Sequence, residues 1–352
     1  MNYNRKIDIK PEKLYLNFWK KERKERKVKV GILGAGMMVN MLMETIDQLN
    51  FSYTAVLGRR ESEEKARKLC RDHGLDACFF DYEELLESDV DTIYVALPNH
   101  LHSGFAKKAL FYGKHVIVEK PATANAAQLK ELMEIAKEQK RMLFEAMNIH
   151  YLPAYLSLKE ALLQVGRPKI VSLNYSQYSS RYDSFRDGQI LAAFDPMKAG
   201  GAVMDLNVYN VHAVVGFFGR PKRVSYMANV ERGIDTSGVL VLDYGDFKVS
   251  SIGAKDCKAP VRCTIQGEEG CFVISGPMNQ MEGYERILND GRTVGYQVDK
   301  PKNRLYYEFM EFQRMIEEKD WEKEAAMLET SLIVAEILEE ARRQNGIFTD
   351  FR

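Results

Sequence analysis

Short apolar runs alternate regularly with longer charged stretches between Val28 and Glu145, and this limits the chain to few folds. The apolar runs have the length and composition of strands, and the amphipathic stretches have those of helices. Strands that alternate with helices of this length predict a parallel sheet with helices on both faces. The predicted strands are 28–33, 53–57, 78–80, 92–96, 115–118 and 142–145, and the predicted helices are 37–49, 61–73, 82–87, 101–112 and 124–139.

A glycine-rich turn joins the first predicted strand to the first predicted helix. Gly34 permits a tight turn, and Gly36 lets the backbone approach a pyrophosphate at the helix N-terminus. Met37 and Met38 start the helix beneath that turn, and Val39 replaces the third glycine of the dinucleotide-binding fingerprint, which predicts looser helix–strand packing. A glycine turn alone can be purely steric, but its place at the start of a βαβ unit predicts a dinucleotide site.

The end of the second predicted strand bears on the choice of cofactor. Sites that prefer NAD usually carry an acidic residue here, which binds the ribose hydroxyls. This chain has Gly58, which is expected to leave space, followed by Arg59 and Arg60. Because a guanidinium binds a phosphate with two hydrogen bonds, the pair favours NADP(H) over NAD(H). The alternatives are a solvated arginine pair at a helix start and a ribose contact from Glu61.

Beyond Tyr151 the alternation gives way to a β-rich pattern. Turns such as Tyr244-Gly245-Asp246 separate the runs and indicate antiparallel hairpins. The predicted strands are 169–178, 223–230, 239–243, 248–252, 262–266 and 271–275, and the predicted helices are 154–164, 201–217, 305–318 and 322–344.

The fold class predicted for the chain is α/β. A Rossmann dinucleotide-binding domain over 28–150 is followed by an α+β substrate-binding and oligomerisation domain over 151–352, with a large, mostly antiparallel open sheet. One face of this sheet has no helices to cover it. Because a large apolar face seeks a partner, the expected assembly is a homodimer or a dimer of dimers.

Composition excludes several classes of protein. A chain of 352 residues exceeds the roughly 250–300 residues of a single core. Lys+Arg and Asp+Glu both number 50, so net charge gives no argument for nucleic acid or a membrane surface. The odd number of cysteines, with no C-x-x-C pair, argues against a disulfide framework or a zinc site. Without an apolar run of signal-peptide or membrane-spanning length, the chain is expected to be cytoplasmic.

Residues 1–27 stand apart as an N-terminal arm, in which apolar residues precede a run of mixed charge from Lys20 to Lys29. This run suggests either a basic arm for an anionic partner or a solvated segment whose aromatic side chains dock on the protein. Glu22 and Glu25 dilute the positive charge, which favours the solvated segment.

Two polar segments follow neighbouring predicted strands, at the edge where open α/β sheets bind ligands. Leu97-Pro98-Asn99 and His102 come after the fourth strand, and Glu119-Lys120-Pro121 comes after the fifth. His102 is expected to contact a cofactor or to cap the following helix; a metal site is not expected, because no third ligand has a suitable spacing. Proline restricts the preceding residue to extended conformations, so Lys120 should be held at this edge, beside a nicotinamide.

Taken in order, these segments make the chain similar to the glucose–fructose oxidoreductase / inositol dehydrogenase / MocA family of NAD(P)-dependent enzymes, over residues 28–345. The resemblance is carried by Gly34-x-Gly36, Pro98-Asn99-x-x-His102, Glu119-Lys120-Pro121, Glu145-Ala146 and Gly200-Gly201-Ala202-Val203-Met204-Asp205, ahead of Tyr209 and His212.

The resemblance implies roles for particular residues. Lys120 would contact the nicotinamide and the reacting hydroxyl, and Asp205 and Tyr209 would complete the substrate pocket. Asn207 stands where many relatives have glycine, and His150 stands where many have arginine. Both departures reshape the expected pocket, to which His150 would contribute, so the family's substrates do not carry over.

The spacing of the polar residues between 205 and 212 also indicates a substrate pocket, independently of the resemblance. Asp205, Tyr209 and His212 are spaced at i, i+4 and i+7, which predicts one shared helix face. A buried carboxylate, phenol and imidazole need hydrogen-bond partners, and a polyol supplies them. The alternative is a structural network that anchors the helix, and for His212 neither interpretation is preferred.

Free tyrosine and lysine titrate at about 10, too high for an efficient base at neutral pH. A positively charged nicotinamide lowers the pKa of a nearby lysine, and a lysine ammonium favours tyrosinate. Lys120 and Tyr209 therefore form a candidate acid–base pair, with Tyr209 carrying the proton and Lys120 tuning it, or the reverse. Asp205 would orient a neighbouring hydroxyl.

The expected function is hydride transfer between a nicotinamide and a hydroxyl or carbonyl of a sugar, polyol or diol. One alternative is an NAD-retaining glycosidase that works by redox-assisted elimination. Another is a non-catalytic, cofactor-sensing regulatory protein, although the intact Lys120, Asp205 and Tyr209 argue against it.

Overall fold

The computed structural model describes residues 28–351, so the predicted arm over 1–27 lies outside the described residues. Two sheets organise this part of the chain, one with six strands and one with eight. They confirm the predicted α/β class, with a Rossmann sheet followed by a large, mostly antiparallel sheet.

The six strands of the first sheet run parallel in the order β3-β2-β1-β4-β5-β6. The strand order reverses between β1 and β4, which is where doubly wound sheets open a ligand crevice at their carboxyl ends. The strands are β1 Lys29–Leu33, β2 Tyr53–Leu57, β3 Ala77–Phe79, β4 Thr92–Val95, β5 His115–Glu119 and β6 Leu143–Ala146. The helices between them are α1 Met37–Met43, α2 Glu63–His73, α3 Tyr82–Glu87, α4 His102–Phe111 and α5 Ala126–Gln139.

Helix α1 is shorter than predicted, ending at Met43 with a separate 3-10 turn at Ile46–Gln48. Thr45, a β-branched residue of low helix propensity, leaves helical geometry with φ −133°. From the far end of the chain, Asn303 donates a hydrogen bond to the Met41 carbonyl at 3.3 Å. The helix end is thus satisfied by a distant residue, which the local sequence pattern does not contain.

The second sheet has the order β14-β13-β12-β11-β7-β10-β9-β8, and only the β7–β10 pair is parallel. The last two strands at one end of this sheet, β13 and the edge strand β14, were not predicted, because their residues are half-buried or exposed and form no apolar run. The strands are β7 Pro168–Ser176, β8 Arg223–Glu231, β9 Ile234–Asp243, β10 Lys248–Ala254, β11 Arg262–Gly267, β12 Gly270–Ser275, β13 Gly283–Leu288 and β14 Thr293–Gln297. The accompanying helices are α6 Pro153–Ala161, α7 Tyr182–Arg186 and α8 Val208–Phe218.

Two C-terminal helices, α9 Arg304–Glu318 and α10 Trp321–Gln344, return to the first sheet. The ring of Phe309 meets Tyr94 of β4 at 5.0 Å, and Phe312 stacks on Phe144 of β6 at 4.8 Å. These helices therefore pack against the N-terminal sheet, although they lie within the predicted domain over 151–352.

No helix within residues 28–351 is both long and apolar enough to cross a membrane. The same residues contain no group of His, Cys, Asp and Glu side chains arranged to hold a metal ion.

Candidate active site

The glycine turn after β1 has the geometry that a dinucleotide needs. Gly34 adopts φ +108°, and a Cβ there would lie 2.8 Å from the Ala96 carbonyl oxygen, so only glycine fits. Gly36 precedes α1 with open space around it, and the Met37 side chain is 69% exposed. The predicted loosening at Val39 is wrong, because this side chain is fully buried and fills the interface beneath the helix.

At the end of β2, the structure gives a different reason for the glycine at position 58 from the one expected from the sequence. A Cβ on Gly58 would lie 2.4 Å from the Cβ of Ala66 and 3.2 Å from the Phe80 ring, so the absence of a side chain at Gly58 lets helix α2 approach and does not open space for a ligand on that side. Arg59 and Arg60 are exposed, and neither guanidinium has a hydrogen-bond or ion-pair partner among residues 28–351. Both charges are therefore available to an anion at this edge.

His102 connects two loops at the carboxyl edge of the sheet. Its Nδ1 lies 2.9 Å from the Pro121 carbonyl oxygen and its Nε2 lies 2.7 Å from the Leu97 carbonyl oxygen. The ring is fully buried, and burial lowers its pKa. The predicted contact of this ring with a cofactor, or its capping of the helix, is therefore corrected: backbone carbonyls occupy both nitrogens, and His102 fixes the loops that follow β4 and β5.

The loop after β4 also reaches the second domain, because Asn99 Nδ2 donates to the Ala199 carbonyl at 3.0 Å. Glu119, at the end of β5, is buried and accepts hydrogen bonds from the Tyr94 hydroxyl and, at 3.2 Å, from the Lys120 backbone N–H. Burial raises the pKa of its carboxyl. The Glu119 carboxyl is thus held inside the protein, and the predicted contact of Glu119 with a cofactor stays a prediction for this end of β5.

Lys120 contacts the other two residues predicted to be catalytic, Asp205 and Tyr209. Its Nζ lies 3.1 Å from Asp205 Oδ1, 3.1 Å from the Asp205 carbonyl oxygen and 4.7 Å from the centre of the Tyr209 ring. The Lys120 side chain is 13% exposed and that of Asp205 is 37% exposed, so ligands can reach the group.

The charges of this cluster stabilise its ionised forms. Burial lowers the pKa of Lys120, but its electrostatic interactions with Tyr209 and Asp205 outweigh this effect and raise that pKa well above its usual range. Burial likewise raises the pKa of Asp205, but Lys120 and Lys255 outweigh it and hold that pKa well below its usual range. The shift at Lys120 is opposite to the one expected from a nicotinamide charge alone, so the protein itself keeps this lysine an ammonium.

Lys255 was missed by the sequence analysis. It follows β10, is 2% exposed, and its Nζ lies 2.8 Å from Asp205 Oδ2. The same ammonium donates to the Ala193 carbonyl at 2.8 Å and lies 4.6 Å from the centre of the Phe194 ring. No motif surrounds Lys255, and the only sequence signal was a lysine directly after a buried strand.

The second glycine of the pair before Asp205, Gly201, is required by Asp235 of β9. A Cβ on Gly201, which has φ +105°, would lie 2.1 Å from Asp235 Oδ1. Asp235 Oδ2 accepts hydrogen bonds from the Val203 N–H at 2.6 Å and from the Tyr226 hydroxyl at 2.8 Å. Burial raises the pKa of this carboxyl to about 6. This contact anchors the start of the segment that carries Asp205.

The predicted continuous helix over 201–217 is a π turn at Val203–Asn207 followed by α8. π turns recur at functional sites. Asp205 lies in this turn and Tyr209 lies in α8, and both contact Lys120. The predicted shared face is therefore corrected, because His212 points elsewhere.

His212 belongs to a buried network behind the site. Its Nε2 lies 3.2 Å from Glu145 Oε2, and its Nδ1 lies 3.1 Å from His150 Nε2. Glu145 also accepts a hydrogen bond from the Ala122 N–H at 2.9 Å. Burial, with the charge of His212, lowers the pKa of His150 well below its usual range. The structure thus places His150, predicted to bind substrate, in this network and against the Tyr155 ring.

Sequence comparisons identify the class of this fold and site. Residues 28–147 match the oxidoreductase family with an NAD-binding Rossmann fold, GFO/IDH/MocA, and residues 158–273 match the GFO/IDH/MocA C-terminal domain. The chain belongs to this family, and the resemblance inferred from its motifs is confirmed. It is a nicotinamide-dependent oxidoreductase that acts on a hydroxyl or carbonyl group.

Among its relatives is the scyllo-inositol 2-dehydrogenase (NADP(+)) of Bacillus subtilis, which is 35% identical over 91% of this chain and 98% of that protein. The trans-1,2-dihydrobenzene-1,2-diol dehydrogenase of Xenopus tropicalis is 26% identical over 91% of this chain and 98% of its own length. Among solved structures, a 3-ketoreductase from Actinomadura kijaniata, in complex with NADP and TDP-benzene, has the same fold, with a TM-score of 0.76 and 20% identity over 90% of this chain and 97% of that one.

Proposed function

We propose that this enzyme transfers hydride between NADP(H) and a hydroxyl or carbonyl of a sugar, polyol or diol. The observation that carries the proposal is the contact of Lys120 with both Asp205 and Tyr209 at the carboxyl edge of the Rossmann sheet. The names of the relatives agree with it, because they act on an inositol and on a cyclic diol.

The residues of the glycine turn fit a dinucleotide, since Gly34 forms the turn and the space above Gly36 admits a pyrophosphate. A nicotinamide bound there would supply or accept the hydride. Tyr209 carries the proton of the reacting oxygen, because its ring lies beside Lys120 and Asp205, with the Lys120 ammonium 4.7 Å from the ring centre. Asp205 accepts a hydrogen bond from a substrate hydroxyl and orients it.

A substrate panel tests this function. The purified protein is mixed with NADP⁺ and neutral sugars, inositols or diols, or with NADPH and the matching ketones, and the absorbance of reduced nicotinamide is followed. We expect turnover with at least one polyol or its ketone. Glycoside cleavage without a net absorbance change, with NAD retained through purification, would instead favour the redox-assisted glycosidase. Cofactor binding with neither reaction would favour the regulatory protein.

The cofactor preference is proposed from Arg59 and Arg60, which are exposed and free of partners within residues 28–351. Fluorescence titration should show tighter binding of NADPH than of NADH, by about tenfold or more, because charge-assisted hydrogen bonds to a phosphate each contribute about 1.5–3 kcal/mol. Arg59→Ala should remove most of this difference, while Lys137→Ala, an exposed change on α5, should retain it. Equal affinities in the unmodified protein would refute the preference.

The homodimer is proposed from an apolar row on the open face of the second sheet. Ile252, Val239 and Met227 lie opposite one another on β10, β9 and β8, and Met227 is 61% exposed. Apolar side chains in register across several strands, half-buried at Ile252 and Val239 and exposed at Met227, favour burial against a second copy. Sedimentation at micromolar concentration should give twice the 40.4 kDa of one chain, and Met227→Asp should shift the protein toward monomer. A monomeric unmodified protein would contradict this assembly.

A further inference from the structure

We propose that Lys255 is a positioning residue of the active site: by holding Oδ2 of Asp205, it keeps this carboxylate ionised and lets Lys120 exchange Oδ1 for a substrate oxygen. This role deepens the proposed function and rests on it, since it assumes that Asp205 orients a substrate hydroxyl.

Lys255 has the surroundings of a fixed cation. Its ammonium has three N–H donors, and two are taken by Asp205 Oδ2 and the Ala193 carbonyl, each at 2.8 Å. Its backbone is held on both sides as well: the Lys255 N–H donates to the Thr236 carbonyl at 2.8 Å, and the Lys255 carbonyl accepts from the Ser179 N–H at 2.8 Å. With a side chain only 2% exposed, Lys255 has no room to turn toward a ligand.

Lys120 differs from Lys255 in each of these respects. Its ammonium is more exposed, its two contacts with Asp205 are longer, at 3.1 Å each, and it also lies over the Tyr209 ring. If Lys120 were the sole counter-ion of Asp205, its movement toward a substrate oxygen would leave the carboxylate without a partner. Lys255 prevents this, because it neutralises Asp205 wherever Lys120 points.

The two lysines also leave the cluster with one positive charge in excess of Asp205. A carboxylate has about four lone-pair positions, so Asp205 can accept a substrate hydroxyl while Lys255 stays bound. The side chain of Asp205 is 37% exposed, which gives the substrate access. The excess charge then remains on Lys120, next to the phenol that carries the proton.

The charged groups that contact Asp205 are Lys120, from the loop after β5, and Lys255, from the segment after β10, and the titratable Tyr209 of α8 lies against Lys120. The carboxyl of Asp235, on β9, lies within the field of Lys255. Removing Lys255 takes away one of the two cations that lower the pKa of Asp205, so this carboxyl should protonate at higher pH.

The test compares Lys255→Met with Lys258→Met, a matched change at an exposed lysine on the same segment. Lys255→Met should raise KM for the substrate and move the acidic limb of the kcat/KM profile up by about 1–2 pH units, because a neighbouring opposite charge shifts a carboxyl pKa by that amount. The Kd of NADPH should stay within about twofold, because Lys255 lies in the substrate domain. Lys255→Arg, which keeps the charge, should restore the acidic limb.

A second measurement does not depend on turnover. Carboxyl ¹³C NMR of aspartate-labelled protein, assigned with Asp205→Asn, should show a higher pKa for Asp205 in Lys255→Met than in Lys258→Met. If Lys255→Met melts too low for study, Lys255→Gln replaces it. An unmoved acidic limb together with an unmoved Asp205 pKa would overturn the role of Lys255. Loss of turnover by the unmodified protein on the whole panel would instead overturn the proposed function.

Discussion

Lys120→Met should lower kcat by about 10²–10⁴-fold, the usual contribution of a group that assists proton transfer. Methionine keeps most of the side-chain bulk but removes the ammonium that lies against Asp205 and the Tyr209 ring. The melting temperature should change little, because Lys255 remains as a counter-ion for Asp205 and no buried carboxylate is left unpaired.

Steady-state kinetics on the best substrate of the panel, with fluorescence titration of NADPH, would check this result. NADPH affinity should stay within a few-fold of that of the unmodified protein, and the exposed Lys258→Met should behave like the unmodified protein in both assays. A variant that lost NADPH affinity but kept kcat would show that Lys120 binds the cofactor and takes no part in proton transfer.

The N-terminal half of the fold was predictable because its information is local. The central strands of the parallel sheet are buried on both faces and therefore form continuous apolar runs, as in Val116 to Val118 of β5. Strands β13 and β14, at one end of the second sheet, carry no such run, so they escaped prediction. The return of α9 and α10 to the first sheet depends on contacts such as Phe312 with Phe144, which no local pattern contains.

The residues of the candidate site likewise fall into those that a local motif marks and one that it does not. Lys120, Asp205 and Tyr209 lie in short motifs, which mark them in the sequence although Lys120 and Asp205 are 85 positions apart. Lys255 reaches Asp205 across 50 positions with no motif of its own, and its role depends on burial that only the folded chain provides.

Some residues were located correctly in the sequence but given the wrong physical reason. Gly58 was expected to make space for a cofactor, yet it is needed for the approach of Ala66. His102 was expected to meet the cofactor, yet both of its nitrogens face backbone carbonyls. The residue type at a motif position therefore indicates that only this residue fits there. The packing around it shows whether a ligand or the neighbouring protein atoms require it.

Tyr209→Phe should reduce turnover by the same order as Lys120→Met, about 10²–10⁴-fold, because it removes the hydroxyl that exchanges the proton. The phenyl ring should stay where the tyrosine ring is, 4.7 Å from the Lys120 ammonium and 5.9 Å from the Tyr175 ring, so NADPH affinity and melting temperature should change little. Tyr112→Phe, at the exposed end of α4, is the matched control and should keep full turnover.

Together, Tyr209→Phe and Lys120→Met distinguish the two possible proton carriers. If Tyr209→Phe kept full turnover while Lys120→Met lost it, Lys120 alone would carry the proton and the phenol would only line the pocket. If both variants kept full activity on the true substrate, the reaction would take place elsewhere in the molecule, and the assignment of this site would be wrong.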